Sequence, residues 1–312
     1  MQTPDALFQR RMCAEQVGHA AVNAEHGRHN EHLLRAGIAL LHGNPSAGRA
    51  QLCQGSGQGQ RLAAQFRARV VGQVFARTRN GHLDQPGRDG REQGQHQRAD
   101  GGDYGEGDVF LGLTVPQTRA IAKKFYKEMP LDEIQELLKS SFHEIRLGAL
   151  LMCVLKYQRG IDKKKIYELY INNTNYINNW DLVDLTAPYI AGDFVYNYGS
   201  EDDLRRLAQS SHLWSERISV VSSLYFIKQN SFDYIFDISE YFLGHSHDLM
   251  HKACGWMLRE AGKRNQTALE KFLDKNAPYM PRTMLRYAIE KFDEKKRKKY
   301  LAIKKIQSRS PV

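Results

Sequence analysis

Asn178-Asn179-Trp180-Asp181-Leu182-Val183-Asp184 opens a segment, 179 to 197, in which Val183, Ala187, Ile190 and Phe194 recur at helical spacing. Such a stripe predicts a helix with one buried face. At ~100° per residue, Trp180 and Asp184 fall about 40° apart, at the edge of that face. An indole beside a carboxylate sits badly in a core. With Asn179 as the cap, Asp181 lies in the first turn, where the helix dipole favours a negative charge, so capping accounts for Asp181. Asp184 lies just beyond, and capping accounts for it only in part.

Outward from this segment the pattern is nearly all helix from Val109 onward. Pro116 suits a first-turn position, and Arg119 to Met129 continues with apolar residues at helical spacing until Pro130 ends it. Further helices are predicted over 131–139, 142–158, 162–173, 201–209, 213–229, 233–244, 247–263, 266–275 and 281–301. The longer ones begin near Phe142, Asn179, Leu213, His247 and Pro281, at intervals of 34 to 37 residues, the span of a helix-pair repeat. The Trp, Leu, Gly, Tyr pattern of tetratricopeptide repeats is absent, and HEAT-like repeats fit better. The expected fold is all-α, an α-solenoid of HEAT-like helix-pair repeats with a concave basic groove, preceded by a poorly ordered N-terminal segment. In such stacks one layer of helices lines the surface that binds long partners.

The 312 residues carry a formal charge of +10, which favours an anionic partner without choosing between nucleic acid and an anionic membrane surface. Residues 1 to 103 hold 13 arginines and no lysine, whereas the remainder holds 20 lysines and 12 arginines, the first lysine being Lys123. The first segment is rich in Gly, Gln and His, and stretches such as 51–60 and 86–102 show no apolar periodicity. Burial there is too small to offset chain entropy, so 1–103 reads as low-complexity and disordered or marginally structured. Its composition suggests a separate origin, a fusion or an out-of-frame translation; a basic arm adding nonspecific affinity is the alternative. Residues 302–312 read as a disordered tail. Four cysteines, Cys13, Cys53, Cys153 and Cys254, form no CxxC spacing, so free thiols in a reducing, cytoplasmic setting are expected, with Cys153 and Cys254 as small core residues. The apolar run from Ala36 to Leu41 is too short for a signal-peptide core or a membrane span.

Two further helices carry candidate chemistry. On 247–263, Met250, Ala253 and Met257 form a core stripe, while Lys252, Trp256, Arg259 and Lys263 cluster on another face. That cluster suits a sugar-phosphate backbone, cations meeting phosphates and the ring packing on sugar or base; a surface cation-π pair is the plainer reading. On 213–229, Trp214 and Arg217 share a face with Val221, Tyr225 and Lys228. Arg217 is placed to orient a carboxylate bidentately on the adjacent helix, or to form a routine inter-helix salt bridge. His247 and His251 stand four apart, but no Glu follows His247 in the HExxH manner, and polar helix-start residues explain them better than a metal does. No Walker loop, GxGxxG or GxSxG motif supports phosphoryl, hydride or acyl transfer.

Four ordered blocks, TyrGlyGluGlyAspValPheLeuGly at 104 to 112, TrpAspLeuValAsp at 180 to 184, TrpSerGluArg at 214 to 217 and HisLysAlaCysGlyTrpMetLeuArgGlu at 251 to 260, resemble the bacterial DNA alkylation repair enzymes of the AlkD type. These are HEAT-like DNA glycosylases, and the resemblance spans 104–301. It implies excision of cationic alkylated bases, chiefly 3-methyladenine and 7-methylguanine, from duplex DNA. It further implies Asp184 as the catalytic carboxylate, Trp180 and Trp256 as indoles against the lesion nucleotide, Arg217 as the supporting arginine, and no cofactor or metal. DNA contacts would fall to Lys252, Arg259, Lys263 and Trp214, in a monomer acting on duplex DNA without an obligate protein partner. Family members carry N-terminal helices where this chain has its lysine-free segment, a departure that would leave one end of the solenoid uncapped.

Two other readings stand beside this one. A catalytically silent HEAT-like scaffold would bind DNA or protein without chemistry. A binder of membrane surfaces or acidic proteins draws on net charge alone.

Overall fold

A computed structural model describes residues 57–79 and 108–304. Among these residues every regular element is helical, apart from one isolated parallel bridge between Val109 and Phe142. The helices are α1 (Gly57–Arg79), α2 (Val115–Phe125), α3 (Leu131–Leu138), α4 (His143–Gln158), α5 (Lys163–Asn172), α6 (Trp180–Asp184) and, after a π-helical segment (Pro188–Gly192), α7 (Asp193–Tyr198). They continue as α8 (Glu201–Ala208), α9 (Leu213–Lys228), α10 (Asp233–Tyr241), α11 (Asp248–Arg264), α12 (Gln266–Asn276), α13 (Arg282–Ala288) and α14 (Glu294–Ala302). None of the described helices is long and apolar enough to cross a membrane.

Local signals set many of the ends. Thr114 and Gln117 form a reciprocal capping box at α2, with Pro116 in its first turn, and Ser200 with Asp203 does the same at α8. Pro130 stands at the N-cap of α3. His212 and His247 accept backbone N–H groups of the helices they precede, from Ser215 and Leu249. Helix-start capping therefore occupies His247, while His245 pairs with Glu216 and His251 Nε2 bonds the His245 carbonyl.

The longer elements pack in a row, α4 against the π segment, that segment against α9, α9 against α11 and α11 against α13. Shorter helices lie beside them: α3 on α4, α8 on α9, α10 on α9 and α11, and α12 on α11. A chain of neighbour-to-neighbour contacts is the mode of burial that helix-pair stacks use. Cys153 and Cys254 are buried free thiols in the core, and burial pushes both up to about 12.

Four segments differ from the helices expected of the sequence, the first being α2, which ends at Phe125 and not at Pro130. The single helix over 179–197 is instead α6, a turn, the π segment and α7. Pro188 has no N–H to give, and Gly192 N reaches back five residues to Ala187 O at 2.9 Å, the widened pattern of a π-bulge. The helix over 281–301 divides into α13 and α14, with Asp293 capping the second through Lys296 N. The helix over 233–244 closes in a 3-10 turn, Phe242–Gly244.

The expectation that 1–103 lacks packed structure is corrected for α1. Ala63, Phe66 and Val70 recur at helical spacing on α1 and are buried in the core, where α1 packs on α2, α3 and α4. Phe66 meets Phe125 edge-on at 5.7 Å, and a Cβ added at Gly148 of α4 would collide with the Phe66 ring. Among the described residues, α1 covers the α2–α3–α4 end of the helix row. The readings of 1–56 and 80–103 as low-complexity, and of 305–312 as a tail, lie outside the described residues, as do Cys13 and Cys53.

One prediction follows from this packing. Gly148→Ala lowers stability by about 1–3 kcal/mol through overpacking, read by urea denaturation of the full chain. Phe66→Ala combined with it costs less than the sum of the two single changes. Strict additivity would show that α1 does not sit on Gly148.

Candidate functional site

Asp184 ends α6, one turn after Trp180, and only 5% of it is accessible. Arg217, in the second turn of α9, forks onto it: Nε donates to Oδ1 at 3.0 Å and Nη2 to Oδ2 at 2.9 Å. Its third donor, Nη1, reaches Leu249 O at the start of α11, at 2.6 Å. One buried guanidinium therefore ties α6, α9 and α11 together. Burial pushes the Asp184 carboxyl above its usual range, the charge and hydrogen bonds of Arg217 oppose this, and Asp181 adds to the rise. Arg217 thus has the bidentate geometry expected of it. Tyr170 of α5 is fully buried nearby, its hydroxyl 2.9 Å from Thr186 Oγ1.

Asp181 lies in the first turn of α6, as expected, but it also has a partner that capping does not account for. Its Oδ2 lies 2.8 Å from His143 Nε2 on α4. Asn179 occupies the N-cap position without a side-chain cap bond, and its Nδ2 donates instead to Asp108 Oδ2 at 2.9 Å. The same Asp108 oxygen lies 3.1 Å from His143 Nδ1, and Arg146 bonds its other oxygen. Burial alone would push Asp108 up, but His143, Asn179 and Arg146 outweigh it and hold the carboxyl below its ordinary value. Beside this cluster, Glu144 accepts the backbone N–H groups of Leu111, Gly112 and Leu113 at 2.7–3.2 Å, pinning the segment that leads into α2. Gly112 lies within it at φ +82°, a conformation that favours glycine.

Trp180 and Trp214 are half-buried, while Trp256 is only 7% exposed and belongs to the core. Trp256 was expected to stand outside the core among free cations. The correction has two causes. Helix α13 closes on α11 so tightly that a Cβ on Gly255 would lie 2.5 Å from Tyr287 Cβ. Carboxylates also answer the cations: Lys252 pairs with Asp248 at 2.8 Å, Lys263 with Glu260 at 2.6 Å, and Arg259 with Glu290 and, at 3.5 Å, Glu260.

Of the candidate residues, Asp184 and Arg217 are joined, Trp180 stands one turn before Asp184, and Trp256 is buried on α11. The residues that sequence reasoning missed are Asp108, His143 and Arg146, and for Asn179, placed at the N-cap as expected, the contact with Asp108. Asp108 and His143 stand 35 positions apart, so only the block at 104–112 offered a signal, and it marked a family and no contact.

The overall fold matches a solved structure titled a predicted DNA alkylation repair enzyme from Enterococcus faecalis, with a TM-score of 0.50 and 18% identity over 61% of this chain and 92% of that one. No curated protein matches the chain. The family model for DNA alkylation repair enzymes matches residues 87–292, and the chain belongs to that family, whose role is the repair of alkylated DNA.

Proposed function

We propose that the chain is a DNA glycosylase that releases cationic alkylated purines, 3-methyladenine and 7-methylguanine, from duplex DNA. The observation that carries this reading is the Asp184 carboxylate, buried, gripped at both oxygens by Arg217 and one turn from a half-buried indole. An alkylated purine already bears positive charge, so it leaves without a strong general acid. When the C1′–N bond breaks, its electron pair goes to the base, which becomes neutral, and positive charge passes to the sugar. A carboxylate held in a site of low dielectric stabilises that charge and orients the water that adds to C1′, accepting a proton from it. The π-face of Trp180 favours the same cation.

Arg217 would keep Asp184 in place through the reaction. Lys252, Arg259 and Lys263 would exchange carboxylate partners for phosphates, with Trp214 packing beside the backbone of the lesion nucleotide. The burial of Trp256, which withdraws one indole from a lesion, favours one competing reading, a scaffold that binds DNA without chemistry. Incubation with N-methylated duplex, followed by chromatography of the free bases, separates the two. The glycosylase reading expects methylated purine in solution and alkali-labile abasic sites in the strand. Saturable, salt-sensitive binding with no released base would leave the scaffold.

A further inference from the structure

A polar cluster drawn from three segments stands ahead of α6: Asp108 before α2, His143 and Arg146 on α4, and Asn179 with Asp181 at the start of α6. At its centre the His143 ring, with 4% of its side chain accessible, has a carboxylate oxygen at each nitrogen, 3.1 Å to Asp108 and 2.8 Å to Asp181. Phe110 covers it at a centroid distance of 4.7 Å. Carboxylates only accept, so both contacts are hydrogen bonds when both ring nitrogens carry protons, and the bridge calls for the imidazolium. Asp181 stands three residues before Asp184 on the same short helix, close enough for its charge to act on the candidate carboxylate.

We propose that His143 is a positioning residue for Asp184: bridging Asp108 and Asp181, its cation fixes the turn that presents Trp180 and Asp184, and offsets the charge of Asp181 beside Asp184. This role rests on the glycosylase reading.

His143 is faced by Asp108, Asp181 and its neighbour Glu144, while Arg146 shares Asp108 with it. Burial pushes the imidazole down, yet Asp181 and the hydrogen bond to Asp108 together outweigh burial and hold it at about 9. It is therefore charged at neutral pH. Asp184 is faced by Arg217 from α9, Tyr170 from α5 and Asp181 from its own helix. Losing the His143 cation exposes Asp184 to the full repulsion of Asp181 and makes it harder to ionise; losing the Asp181 charge makes it easier.

The test is single-turnover release of 7-methylguanine from duplex by the full chain, followed from pH 5 to 9.5 for wild type, His143→Gln and Asp181→Asn. In His143→Gln the acid limb moves up by about half a pH unit or more, and the rate at neutral pH falls about tenfold with duplex affinity changed less than about threefold. In Asp181→Asn the acid limb moves down. A merely structural role moves neither limb, so wild-type limbs in both variants would overturn the proposal. Where His143→Gln fails to fold, the opposite shift in Asp181→Asn still decides. No release by wild type at any pH removes the glycosylase reading and this role with it, whereas release with unmoved limbs removes only the role. Nitrogen-15 spectra of the imidazoles give an activity-independent check: His143 titrates near 9 and falls toward its ordinary value in Asp181→Asn. A His143 that titrates as an ordinary imidazole in wild type contradicts the bridge.

Discussion

Asp184→Asn lowers the single-turnover rate of base release by about 10²–10⁴-fold, the range over which a positioned acid, base or electrostatic group acts. The substitution keeps shape and removes charge, so the sugar that loses its base meets a neutral amide instead of an anion. It also disturbs the ground state. Arg217 sends N–H donors to both oxygens of Asp184; Asn offers one acceptor and turns an NH₂ toward the other donor. The guanidinium is then left buried with its charge uncompensated, so some stability is lost along with activity. Rates are therefore to be measured well below the melting temperature, with circular dichroism on the same sample. Loss of rate in a folded variant assigns the chemistry to the carboxylate.

Arg217→Ala costs about 3–5 kcal/mol of stability, because it strands a carboxylate inside the protein. Asp184 is fully buried in this pair, and Leu249 O at the start of α11 loses its donor as well. Against a total of about 5–15 kcal/mol for a domain, the loss is large. Urea denaturation reads it as a lower midpoint. Arg217→Lys does not restore it, since an ammonium cannot fork onto both oxygens while holding Leu249. In the stranded state Asp184 takes up a proton to avoid an unpaired buried charge, so activity falls in both variants. A change below about 1 kcal/mol in Arg217→Ala would mean that the pair is solvated and worth no more than a surface bridge.

Most helices were legible because apolar periodicity and proline placement are local: Pro116 stands in the first turn of α2 as its type implies. The break at Pro188 was equally visible, but the stripe through Val183, Ala187 and Ile190 continues across it, since all three are buried in both descriptions. Helix α1 was hidden by composition: Ala63, Phe66 and Val70 are a sparse stripe in a segment dominated by Gly, Gln and Arg.

The candidate site divides along the same line. Asp184 and Arg217 were legible as residue types on neighbouring inner helices, and the structure joins them. Trp256 was misplaced because a helical projection shows one helix only. Glu290, which answers Arg259, lies 31 residues further on, and α13 closes over a face that looked open. Asp181 sits in the first turn as its sequence position implies, while its partner His143 stands 38 residues away, beyond any local signal.

If the proposed function holds, a folded chain of this sequence breaks a glycosidic bond through Asp184. Mass-spectrometric measurement of free 7-methylguanine, released in a single turnover from a methylated duplex by wild type and by folded Asp184→Asn side by side, tests this directly. The expected result is release by wild type and a rate at least about 10²-fold lower in the variant. Equal release by both, or tight binding with no free base from either, would contradict it.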